Sequence, residues 1–142
     1  MYNVKIVESK KEHDDAFAVR KQVFVEEQGV PLHLECDAED ATATHFIMYD
    51  DYEPVGAARL RGIENDTAKI ERVCILQSQR GKKLGALIMK EMEKHAISVK
   101  KKKLKLHAQS YAIPFYEKLG YTVTSPEFMD AGIPHRAMEK TI

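Results

Sequence analysis

The chain has 142 residues, 44% of them apolar and 31% charged, with 22 basic side chains balanced by 22 acidic ones. That length and mixture fit one soluble globular domain whose core needs no disulfide staples. A formal net charge of +0 gives no general attraction to nucleic acid, and no apolar run approaches the ~20 residues of a membrane helix. The N-terminal stretch MYNVKIVESKKEHDD lacks the apolar core and cleavage site of a signal peptide. Cys36 and Cys74 have no framework spacing and read as free thiols, so a reducing cytoplasm is expected.

In chain order, Tyr2 to Glu8 alternates as a first strand. Ser9-Lys10-Lys11-Glu12 has the form of a capping box and predicts a helix from about Lys10 to Glu27. Ala16, Val19, Val23 and Phe24 would form its inner face, and Gly29 and Pro31 would end it. Glu35 to Asp40 is an acidic loop with a short helical turn. Thr44 to Tyr49 and Pro54 to Ile63 are strands joined by the turn at Asp50 to Glu53. Lys69 to Leu76 is the next strand, rich in β-branched and apolar residues.

After a polar break at Gln77 to Gln79, Leu84, Leu87, Ile88 and Met92 recur at helical spacing, and this helix should reach about Val99. Lys100 to Lys103 is a basic run that reads as a solvated helix end. Leu104 to Ala108 is a further strand. Tyr111 to Leu119 is a short helix stopped by Gly120, and Tyr121 to Thr124 and His135 to Thr141 close the chain as strands. Hairpin-length links between three consecutive strands predict an α/β sheet of mixed direction.

One junction carries chemistry. Arg80-Gly81-Lys82-Lys83-Leu84-Gly85 is basic, contains glycine and opens a helix directly after a strand. The first turn of a helix has four backbone N–H groups without internal partners and the positive end of the macrodipole. Phosphate is the usual guest there. The spacing is neither a Walker A loop nor a dinucleotide fingerprint.

Arg80-Gly81-Lys82-Lys83-Leu84-Gly85-Ala86 resembles the Gln/Arg-x-x-Gly-x-Gly/Ala segment of the GNAT superfamily of acyl-CoA N-acyltransferases. Downstream, Ala112-Ile113-Pro114-Phe115-Tyr116-Glu117-Lys118-Leu119-Gly120-Tyr121 resembles that family's Ala-x-x-Phe-Tyr-x-x-x-Gly-Phe/Tyr segment. One position departs: the family's first glycine falls at Lys83. The resemblance implies a mostly antiparallel central sheet flanked by helices. Its fourth and fifth strands, Ile70–Ile75 and Leu104–Ala108, would splay around a cofactor.

The resemblance also implies acetyl-CoA as acyl donor. Its diphosphate would meet Arg80, Gly81, Lys82, Lys83, Leu84, Gly85 and Ala86. Its pantetheine arm would pair with the main chain of Val73, Cys74 and Ile75. Tyr116 would face the departing thiolate, and Gln109 would hold the pantetheine or the product. The acceptor would be an amine, on a small molecule or a peptide, and many relatives pair as homodimers.

Glu71 is the leading candidate base, with His45 or water as alternatives; His135 also falls near the expected cleft. The acidic residues Glu26, Glu27, Glu35 and Asp37 would suit a cationic amine. His33-x-x-Cys36 has metal-like spacing but no second pair, so no metal is expected. Two other readings stay open. One is an acyl-CoA sensor without turnover, favoured by Lys83. The other is an acyl-homoserine-lactone-synthase-like enzyme, whose Arg-x-x-Val-Phe segment is similar to Arg20-x-x-Val23-Phe24.

Overall fold

Short turns force neighbouring strands to run antiparallel, and a helical crossover forces a parallel pair. Both occur here. A computed structural model describes residues 1–142. Its eight strands are β1 (Tyr2–Ile6), β2 (Thr44–Asp50), β3 (Glu53–Glu64), β4 (Thr67–Ile75), β5 (Lys103–Gln109), β6 (Thr122–Val123), β7 (Phe128–Asp130) and β8 (Ile133–Thr141). They form one open sheet in the order β1-β2-β3-β4-β5-β8-β6, with β7 hydrogen-bonded to β8. Only β4 and β5 pair in parallel. The mixed, mostly antiparallel α/β sheet expected from the sequence is therefore present. The β7–β8 hairpin is an addition, turned at Ala131 and Gly132, both with positive φ.

Helix α1 (Lys10–Arg20) starts where the capping box places it: Ser9 Oγ accepts from the Glu12 N–H at 3.2 Å. Glu12 Oε1 in turn accepts from the Glu8 N–H at 2.8 Å. The expected α-helix to Glu27 is corrected beyond Arg20, where Lys21–Glu27 is π-helical. Such wide turns are uncommon and recur at functional sites. From this segment and the residue after it, Val23, Phe24 and Gln28 line the cavity described below. The short helices are α2 (Leu32–Glu35) and α4 (Ile113–Lys118).

Helix α3 (Leu84–Ser98) covers one face of the sheet. Its buried stripe Leu84, Ile88, Met89, Met92 and Ala96 packs on Phe46, Leu60, Ile70, Leu104, Leu106 and Met138. Each such side chain contributes about 1.5–3 kcal/mol by leaving water. On the opposite face Ala16, Val19 and Val23 pack on Ile47, Ala57 and Cys74.

The feature that makes a site is a failure of pairing. β4 and β5 pair from Thr67↔Lys103 to Ile70↔Leu106 and no further. Beyond that rung β4 stays with β3, through Cys74↔Ala57 and Ile75↔Gly56, and β5 stays with β8. A register shift in β4, with Arg72 at φ 59°, bends the strand away at that point.

Candidate active site

The parted strands open into a cavity of about 790 Å³, a size suited to a small-molecule or cofactor site. Its wall includes Val73, Cys74 and Ile75, whose main chain has no sheet partner on the β5 side. An extended ligand can add to such an edge as a strand.

At one end lies the start of α3. No side chain caps this helix, so the first-turn N–H groups remain available. Gly81 has φ 85° and Lys83 has φ 62°. Lys83 therefore adopts the left-handed conformation that glycine takes at no steric cost. The lysine side chain is exposed. Gly85 is needed for packing: a Cβ there would lie 3.1 Å from Phe115 Cζ, bringing α3 against α4.

Arg80, Gly81, Lys83, Leu84 and Gly85 line the cavity, whereas Lys82 and Ala86 do not. Lys82 Nζ instead donates to Gln79 Oε1 at 3.1 Å and to Tyr2 Oη at 3.4 Å. Arg80 is occupied too: its Nη2 donates to Glu27 Oε1 at 2.7 Å and its Nε to the Ile75 carbonyl at 3.0 Å.

Tyr116 lines the cavity from α4, and its hydroxyl makes no hydrogen bond with the protein. Burial pushes that hydroxyl above the ordinary tyrosine value, so it stays a proton donor. Gln109 ends β5 and exchanges amide hydrogen bonds with Gln28, at 2.8 and 3.2 Å. Gln28 thus bridges from the end of the π-helical segment to the end of β5.

The acidic loop forms a charge network rather than a free anionic surface. Arg20, fully buried, donates to Glu35 Oε2 at 2.7 Å and to Asp40 Oδ1 at 2.8 Å. Arg59, also buried, donates to Asp37 at 2.7 Å, Asp40 at 2.8 Å and Glu71 at 2.8 Å. Arg72 reaches Glu35 Oε2 at 2.9 Å and Asp37 Oδ2 at 3.2 Å. Burial alone would raise Glu71. The hydrogen bond from Arg61 and the charges of Arg59 and Lys69 outweigh it and hold the carboxyl at about 2. Glu71 lines the cavity, where its carboxylate is engaged by Arg59, Arg61 and Lys69. The negative charge expected to attract a cationic amine is likewise neutralised by arginines at Glu27, Glu35 and Asp37.

His45 lies outside the cavity, packed edge-on to His13 at 5.4 Å, with Nε2 2.8 Å from the Asp40 carbonyl. His135 lines the cavity; its Nδ1 lies 2.7 Å from the Ile133 carbonyl. Cys74 is buried, and burial pushes its thiol up to about 12, the behaviour of a small core hydrophobe.

The family model described as "Acetyltransferase (GNAT) domain" matches residues 8–142. The "Uncharacterized N-acetyltransferase YjcF" of Bacillus subtilis is 44% identical over 136 residues, which covers 95% of this chain and 96% of that protein. The chain belongs to the GNAT acetyltransferase family.

Among solved structures, an acyl-CoA N-acyltransferase from Pseudomonas aeruginosa superposes on this GNAT chain with a TM-score of 0.86 at 24% identity, covering 99% and 98% of the two chains. The AHL synthase LasI also superposes, with a TM-score of 0.82 at 16% identity, covering 99% and 90%. At those identities the likeness is one of fold. The GNAT fold thus brings Glu71, Val73, Cys74, Ile75, Arg80, Gly81, Lys83, Leu84, Gly85, Gln109 and Tyr116 around one cavity. Sequence reasoning missed Arg72 and His107 there. The alternation of Lys105, His107 and Gln109 along β5 is a signal that marks His107.

Proposed function

We propose that this GNAT protein transfers an acetyl group from acetyl-CoA to an amine. One observation carries the reading. A single cavity runs from the uncapped N-terminus of α3, past the unpaired edge of β4, to a tyrosine hydroxyl with no protein partner. A diphosphate suits the first end, an amide-containing arm suits the edge, and a leaving thiolate suits the phenol.

The proposed chemistry is direct attack of a neutral amine on the thioester carbonyl. An alkylammonium has pKa ~10.4, so its neutral form at pH 7 costs about 4.6 kcal/mol. A proton acceptor near the carbonyl offsets part of that cost. The departing thiolate has a conjugate pKa of ~8.5 against ~10 for tyrosine. Tyr116 therefore donates a hydrogen bond to the sulfur rather than a whole proton. Glu71 belongs to the ion network that fixes the acceptor wall, not to proton removal. Lys83 takes a left-handed backbone conformation open to glycine, which supports the turnover reading over a sensor.

The test is thiol release from acetyl-CoA against an amine library, run beside Tyr116→Phe. Release with at least one amine, reduced in the variant, supports the reading. Comparable turnover in the variant removes Tyr116 as the thiolate's partner, and no release with any amine removes the transfer reaction.

A further inference from the structure

We propose that His107 accepts the proton of the incoming amine, an inference that rests on the acyl-transfer reading above. Position is the first argument. Ile70↔Leu106 is the last rung between β4 and β5, so His107 is the first β5 residue inside the split. Leu106 and Ala108 are buried in the α3-side core, which puts His107 and Gln109 on the opposite face of the strand, lining the cavity. Tyr116 packs against the α3-side core. Base and thiolate partner thus flank the slot from opposite sides, as needed when a nucleophile enters one side of a carbonyl and the sulfur leaves toward the other.

The second argument is availability. Among the other groups considered for this role, Glu71 is saturated by three cations and His45 is outside the cavity. His135 is one strand farther out, paired to Gln109 on β8. The His107 ring makes no hydrogen bond within the protein. It is held edge-on by Phe128 at 5.0 Å, and Phe128 stacks on His135 at 6.1 Å.

Its surroundings favour the neutral ring. Burial lowers its pKa first, and Lys69 on β4, Lys105 on β5 and His135 on β8 act the same way, while Asp130 on β7 opposes them. A neutral imidazole keeps one nitrogen lone pair free at pH 7.

The acceptor ammonium gives one proton to His107. Its freed lone pair forms the C–N bond at the thioester carbon, and the C–S bond breaks with the electron pair leaving on sulfur. The amide nitrogen then loses its second proton to the thiolate through water, beside the Tyr116 hydroxyl. His107 returns its proton to solvent. The net products are the acetamide, free coenzyme A thiol and one proton.

The experiment has two parts. The first is a ¹³C-imidazole NMR titration of the full chain with and without acetyl-CoA. The His107 signal should titrate below the ordinary histidine value of about 6.5 and should move on adding acetyl-CoA. A midpoint at or above 6.5, or a signal unmoved by saturating acetyl-CoA, overturns the proposal. The second compares kcat/KM pH profiles for His107→Gln and His135→Gln, using an amine that the wild type acetylates. His107→Gln should lose roughly 100-fold or more and its acid limb. His135→Gln should keep an acid limb, moved to higher pH because His135 helps hold the His107 value down. An unchanged limb and rate in folded His107→Gln overturn His107 while leaving the acyl-transfer reading intact. Absence of acetyl-CoA binding overturns both.

Discussion

Arg80 and Glu27 face each other at the rim of the cavity, with Arg80 Nη2 2.7 Å from Glu27 Oε1. The pair ties the end of the π-helical segment to the turn that opens α3. In the proposed complex a diphosphate at that turn would compete with Glu27 for the same guanidinium. Both side chains are partly exposed, at 41% and 33%, so the pair is worth at most about 1 kcal/mol. Glu27→Gln should therefore tighten coenzyme A binding by up to about five-fold, and Arg80→Ala should weaken it and flatten its salt dependence. Calorimetric titration with coenzyme A at two ionic strengths checks both directions.

Tyr116 acts, in the proposed chemistry, only once negative charge develops on sulfur. A hydrogen bond to a charged group is worth about 1.5–3 kcal/mol. Tyr116→Phe should then lower kcat by about 10- to 150-fold with little change in the KM for acetyl-CoA. Steady-state thiol release separates the two constants.

Acid should unfold the protein through its buried carboxylates. Asp40 and Glu71 are each held at about 2 in the fold, against about 3.9 and 4.3 for free side chains. Lowered native values mean that the unfolded chain binds more protons between these limits. Their stabilisation is full above about pH 5 and is lost as pH falls through 2, at about 3 kcal/mol for each group. Asp40→Asn should flatten that slope while lowering Tm at pH 7, because it leaves the buried Arg20 and Arg59 short of a partner. Urea midpoints from pH 7 to pH 3 report both effects.

Lys83 and Gly85 should respond in opposite ways. Lys83→Gly relieves a left-handed non-glycine residue and should stabilise the fold by up to about 1 kcal/mol, while removing one charge from the proposed anion site. Gly85→Ala adds a Cβ 3.1 Å from Phe115 Cζ and should destabilise by about 1 kcal/mol or more. Thermal melts and coenzyme A titrations of the two variants test the pair.

Local signals made much of the fold legible. The β4–turn–α3 unit and the α4 stop at Gly120, with φ 98°, follow from spacing and turn chemistry over a few residues. The charge network was not legible. Arg61 and Lys69 lie only 10 and 2 residues from Glu71, but the longer-range pairs lie 12 to 37 residues apart, as in Arg59–Glu71 and Arg72–Glu35, and a local pattern does not pair them. The β3–β4 register supplies a late clue, since it sets Arg59 opposite Glu71. The π-helical Lys21–Glu27 has apolar spacing like that of an ordinary helix, so the sequence reads it as one. β7 is three residues long and depends on β8 for its pairing.

The proposed chemistry needs an acyl-CoA cofactor in the split between β4 and β5. An amide-resolved NMR titration with coenzyme A tests this most directly. Saturable shifts should concentrate at Val73 to Ile75 and at Gly81 to Gly85, with the Tyr116 ring following. Unmoved signals at those residues under excess coenzyme A would contradict it.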